Sequence, residues 1–292
     1  MAAPPTQRIV VGAGAAAREI AAIVREGAGP PLVWLPGFRS HMRSVKAEAL
    51  DAWAAACSRA LVRFDYGGHG ESGGAFETSG ISVWLEDALA AIRRFTTEAP
   101  VLVGSSMGGW LALLAARALR QTDRAPAGLV LIAPAVDFTE RLMWARFPDD
   151  IRAAILERGV YHRPSAYGDG PYPITRALIE DGRRHLLFGA PIAPGCPVHI
   201  LQGVQDPDVP CSHALELVEH LPGDDVALTL VRDGDHRLAR PEDLERLFRA
   251  IETLPVRGRE PHEAAGRLLP RTAKRPDGSG LSRSRPGDPG EL

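Results

Sequence analysis

Apolar residues in this chain cluster in short runs, some interrupted by a polar residue, separated by stretches in which they recur every three or four positions. The runs lie at 32–35, 60–66, 101–103, 128–133, 196–203 and 226–231 and are rich in Val, Ile and Leu. Near-continuous apolar runs of this kind mark strands buried on both faces. The helical period predicts helices over 45–60, 81–95, 111–119, 213–221 and 241–253; Trp84, Leu85, Leu89 and Ile92, for instance, share one face. Strand and helix alternate, so the expected fold is α/β, a mostly parallel doubly wound sheet built from right-handed β-α-β crossovers.

The alternation fails between 138 and 190. Helical segments are expected at 140–146, 149–159 and 174–187, around a Tyr-, Pro- and Gly-containing loop at 161–172 with no obvious strand. An insertion there reads as a helical cap over the carboxyl ends of the strands, where open α/β sheets hold ligands. The domain reading is therefore a core of 1–137 plus 191–257, a cap of 138–190 and a polar tail of 258–292. The tail has too few apolar residues to bury a core and is expected to be disordered.

Near the start, Gly12-Ala13-Gly14 followed by alanines resembles a dinucleotide fingerprint. The fingerprint also needs an acidic residue about 20 positions further on, and the zone 31–37 carries no carboxylate. The expectation is instead a pair of short antiparallel strands at a sheet edge, joined by a Gly-Ala turn, and no cofactor.

Composition narrows the partners. Over 292 residues the formal net charge is −2, too small to draw the chain to nucleic acid. No apolar stretch nears the ~18 residues a membrane span requires, so stable membrane insertion is not expected. Cys57, Cys196 and Cys211 are an odd, sparse set without a C-x-x-C pair. That implies neither a disulfide framework nor a metal site and fits a reducing, cytoplasmic location, as does a start without signal-peptide character.

The candidate chemistry centres on 101–110, Val-Leu-Val-Gly-Ser-Ser-Met-Gly-Gly-Trp. A strand, a G-x-S-x-G turn and a helix are the context of a nucleophile elbow, which would lift Ser106 above the sheet edge. The Met107 amide would then face a developing oxyanion at the helix start. The bland reading is a glycine-rich turn with an exposed serine. Strand 32–35 breaks at Pro36-Gly37 and leaves the Phe38 amide as a candidate second donor, or as part of a plain strand-to-helix turn.

A serine hydroxyl needs a base, and the base an orienting carboxylate, arising in the order Ser, Asp, His after later strands. Asp206 follows strand 196–203 and His236 follows strand 226–231. Asp208 lies deeper in the same turn, and Asp235 would have to double back to reach the ring, so Asp206 is preferred. His69 sits in a glycine-laden loop and is assigned no catalytic role. Met143, Trp144 and Phe147 are candidates for an acyl-accepting pocket or for ordinary packing. The chemistry this set supports is acyl transfer from an ester or thioester to water.

Several blocks carry a closer resemblance: 35–40 (LPGFRS), 63–72 (RFDYGGHGES), 103–110 (VGSSMGGW), 201–210 (LQGVQDPDVP) and 235–237 (DHR). Together they resemble the α/β-hydrolase family, in the group containing the mitochondrial palmitoyl-protein thioesterase and mycophenolic acid acyl-glucuronide esterase. The resemblance runs from about 32 to 248 and implies a Ser106–Asp206–His236 triad, no cofactor, and small acyl esters or acylated thiols as substrates. The absence of transit-peptide character fits a bacterial cytoplasmic relative. The competing reading is a non-catalytic scaffold of the same fold that binds a small molecule or partner.

Overall fold

A computed structural model describes residues 4–164, 170–223 and 225–254. The expected tail lies outside the described residues. In chain order the strands are β1 (Thr6–Val11), β2 (Arg18–Arg25), β3 (Ala28–Leu35), β4 (Arg59–Phe64), β5 (Val101–Ser105), β6 (Gly128–Ile132), β7 (Val160–Arg163), β8 (Tyr172–Thr175), β9 (Val198–Gly203) and β10 (Val226–Val231). The helices are α1 (Val45–Ala56), α2 (Ile81–Phe95), α3 (Met107–Leu119), α4 (Asp149–Arg158), α5 (Arg176–Arg183), α6 (Cys211–His220) and α7 (Pro241–Thr253).

Eight strands form one sheet in the order β1-β2-β4-β3-β5-β6-β9-β10. From β4 to β10 all neighbours are parallel. The β1–β2 pair is antiparallel and joins the edge of β4 antiparallel. The Gly12–Gly14 segment is thus a hairpin at a sheet edge, as its missing carboxylate implied.

Apolar cores form on both faces of the sheet. One packs α2, α3 and α6 against Val33, Leu35, Leu102, Leu129 and Ile200, and extends to Met143, Phe147 and Ile174 of the insertion. The other seats α1 and α7 on Leu32, Trp34, Val101 and Val130. Between them Trp53 and Phe248 stack at 5.3 Å. Neighbouring residues of a strand point to opposite faces, so a run such as Leu32–Leu35 must be apolar throughout.

The insertion between β6 and β9 departs from the all-helical expectation. Thr139–Met143 is a π-helical turn, continued by a 3₁₀ turn at Trp144–Arg146. After α4, the chain forms an antiparallel hairpin, β7 with β8, where a loop was expected. These strands have four residues each, too few for a period of two to stand out in the text. Among the described residues no helix is long and apolar enough to cross a membrane.

Candidate active site

Ser106 stands between β5 and α3 at φ 55° and ψ −117°, a region costly for a residue with a Cβ. The neighbouring glycines are what make the turn possible. A Cβ on Gly104 would lie 2.3 Å from the Gly108 carbonyl oxygen, and one on Gly108 would lie 2.0 Å from that of Leu35. Strand, helix and the end of β3 therefore meet at backbone distance. The Ser106 amide donates to Ile132 O at 2.8 Å, and its carbonyl accepts from Gly109 and Ala135.

The turns after β9 and β10 bring the partners. His236 Nδ1 lies 2.8 Å from Asp206 Oδ2, and Nε2 lies 3.1 Å from Ser106 Oγ. A carboxylate only accepts, so Nδ1 carries the proton and Nε2 presents its lone pair to the hydroxyl. The Asp206 side chain is fully buried and that of His236 is 20% exposed, which leaves one ring edge open toward the cavity.

Asp206 is held on every side. Oδ1 accepts from the Asp208 and Val209 amides, both at 2.9 Å. Buried Gln202 donates through Nε2 to Gly203 O, Val209 O and Asp206 Oδ2. Gln202 was not singled out in the sequence, where it reads only as a strand residue. Asp208 contributes its amide to this turn, and Asp235 accepts from the Arg237 and Leu238 amides. Lys46 of α1 donates to the Arg237 carbonyl and ties the His236 loop to the core.

A cavity of about 460 Å³ opens beside these groups. It is lined by Phe38, Ser106, Met107 and His236 and, from the insertion, by residues including Leu142, Met143, Phe147 and Ile151. Met143 and Phe147 both line this cavity. Trp144 does not line the cavity. Its ring packs against the Arg183 and Arg152 guanidinium groups at 5.1 and 5.9 Å, since the π-helical and 3₁₀ turns at 139–146 do not keep the α-helical spacing that would put it on one face with Met143 and Phe147.

Asp206, Asp208 and His236 bring ligand-type atoms within 4.8 Å of one another. Both Asp206 oxygens already accept hydrogen bonds, so this donor set suits a proton relay better than a cation. His69, in its glycine-laden loop, is closely held. It is 4% exposed, beneath the turn that carries Phe38, and its Nε2 accepts from the Arg39 amide at 3.2 Å.

Comparisons with known proteins agree with this architecture. A family model described as serine aminopeptidase, S33 matches residues 31–165. The human mitochondrial palmitoyl-protein thioesterase ABHD10 is 32% identical over 230 residues, 78% of this chain and 74% of that protein. A crystal structure of a putative hydrolase from Agrobacterium vitis S4 is 52% identical, with a TM-score of 0.82 over 85% of this chain and 97% of that one. Mouse alpha/beta hydrolase domain-containing protein 10 superposes with a TM-score of 0.75 at 29% identity, over 84% of this chain and 97% of that one. The chain is thus a hydrolase of the α/β-hydrolase family, in the group that includes the ABHD10 palmitoyl-protein thioesterases.

Proposed function

We propose that the chain is a serine esterase or thioesterase acting on small acyl esters or acylated thiols, with Ser106 as nucleophile, His236 as base and Asp206 as orienting acid. The observation that carries the reading is the His236 ring spanning Asp206 Oδ2 at 2.8 Å and Ser106 Oγ at 3.1 Å. Nε2 takes the hydroxyl proton as Oγ attacks the acyl carbon, and the imidazolium is stabilised by the buried carboxylate. The Phe38 and Met107 amides receive the oxyanion. Collapse breaks the bond to the leaving oxygen or sulfur, which takes the proton from Nε2. Water then repeats the sequence on the acyl-enzyme and releases the acid.

The 138–190 segment serves as the cap, and Leu142, Met143, Phe147 and Ile151 give the acyl chain an apolar wall. Relatives named palmitoyl-protein thioesterase support the acyl-thioester class, and the likeness to the Agrobacterium protein supports a bacterial setting. The test is a panel of p-nitrophenyl esters and acyl-thioesters of graded chain length, with Ser106→Ala as control. Cleavage of both classes is expected, with kcat falling ~10⁴- to 10⁶-fold in the control. Turnover no greater than that control, with no fluorophosphonate labelling of a folded protein, would leave a ligand-binding scaffold.

A further inference from the structure

We propose that His69 is a positioning residue for the oxyanion turn, its neutral ring accepting the Arg39 amide and so fixing the orientation of the adjoining Phe38 donor. The inference rests on the reading of Phe38 given above.

The turn needs fixing. Gly37 to Ser40 closes with Ser40 N–H donating to Gly37 O at 3.0 Å, which leaves Phe38 and Arg39 as the central pair. Arg39 has φ 58°, left-handed for a residue with a side chain and strained for that reason. Relaxing it to a negative φ would flip the Phe38–Arg39 peptide and exchange the Arg39 N–H for the Phe38 carbonyl. The turn also abuts the nucleophile: a Cβ on Gly37 would sit 3.3 Å from that of Ser106. The Phe38 N–H belongs to the preceding Gly37–Phe38 peptide, so a flip reaches it through the Phe38 Cα, by freeing the backbone on its C-terminal side beside Ser106.

His69 opposes the flip. Its Nδ1 lies 3.2 Å from Gly67 O, a group that only accepts, so Nδ1 carries the proton and Nε2 is the acceptor for Arg39 N–H. A flipped turn would push a carbonyl oxygen against that lone pair. The ring itself cannot swing away. It is wedged among Tyr66, Phe76 and Trp84 at centroid distances of 5.8, 5.2 and 5.2 Å. The Phe38 ring packs on the same Phe76 and Trp84. Trp84 Nε1 donates to Gly67 O at 3.1 Å, and the Gly67 amide donates to buried Asp87 at 2.8 Å. Burial pushes the His69 pKa down to about 4, so Nε2 keeps its lone pair at neutral pH.

His69→Phe preserves a ring in the aromatic cage and removes the acceptor, whereas His69→Gln returns an acceptor near the Nε2 position. The readouts are steady-state kinetics on p-nitrophenyl butyrate and amide hydrogen exchange over residues 36–42. For His69→Phe we expect kcat ~10- to 100-fold lower with KM within about twofold, faster exchange of the turn, and recovery of most of both in His69→Gln. A kcat within about twofold of wild type, a loss carried by KM, or equal losses in the two variants would overturn the proposal. Should His69→Phe not fold, His69→Met replaces it in the comparison. Exchange is also measured with Ser106→Ala in the background, so the tether is scored where turnover fails: faster exchange with Phe at 69 supports it, and unchanged exchange overturns it.

Discussion

In the proposed triad, Ser106, Asp206 and His236 depend on one another through orientation more than through proximity. The carboxylate fixes which ring nitrogen carries the proton, and its own two oxygens are fixed by the Asp208 and Val209 amides and by Gln202. Asp206→Asn keeps the shape but offers Nδ1 an amide that can donate, which favours the tautomer with a proton on Nε2 facing Ser106. A kcat loss of ~10⁴-fold is expected, measured on p-nitrophenyl butyrate, with the thermal midpoint nearly unchanged. A loss under about tenfold would mean that another group orients the ring. Asp206 stood out in the sequence as the first acidic residue after the strand end. Gln202 did not, since a glutamine within a strand gives no sign of which loop its amide will reach.

The elbow is the element that sets the site's geometry, and its packing is testable without chemistry. A Cβ on Gly108 would lie 2.0 Å from Leu35 O and 2.7 Å from Pro36 O, in backbone that cannot yield cheaply. Gly108→Ala is expected to destabilise by about 1–3 kcal/mol in urea unfolding and to lower activity by displacing the end of β3 that leads to Phe38. Gly189→Ala, where nothing lies within 4 Å, is the control and should leave both unchanged. The elbow was legible because a tight turn with glycine on both sides is a local steric requirement. The insertion was not: its π-helical turn and four-residue strands are set by what they pack against, and the helical spacing of 140–146 misplaced Trp144.

Acid sensitivity follows from histidines buried in the fold. Burial lowers His69 and His213 from 6.5 to about 4 and also lowers His185 and His199. The folded protein therefore resists protons that the unfolded chain takes up from about pH 6.5 downward. For His69 and His213 the contribution is fully present above that pH and is lost as pH falls toward 4, each withdrawing at most about 1.4 kcal/mol per pH unit, and His185 and His199 act in the same direction. Asp65, Asp87 and Asp137, raised by burial, work in the opposite sense at the acid end. The discriminating measurement is the urea midpoint of wild type and His213→Phe between pH 7 and 5. The wild type should lose stability on acidification, and the variant should lose less; parallel curves would count against the assignment.

Outside the 138–190 insertion, the alternation of strands and helices, the serine turn and the residues at two later strand ends were determined by the sequence alone. They rest on period, on the sterics of glycine and on chain direction, all properties of neighbouring residues. Only the tertiary structure decided that a serine and a histidine 130 positions apart lie in hydrogen-bond contact, and that a loop histidine is clamped beneath the turn carrying Phe38. Those relations depend on how separate segments cross the same sheet edge, and short-range patterns do not encode that packing.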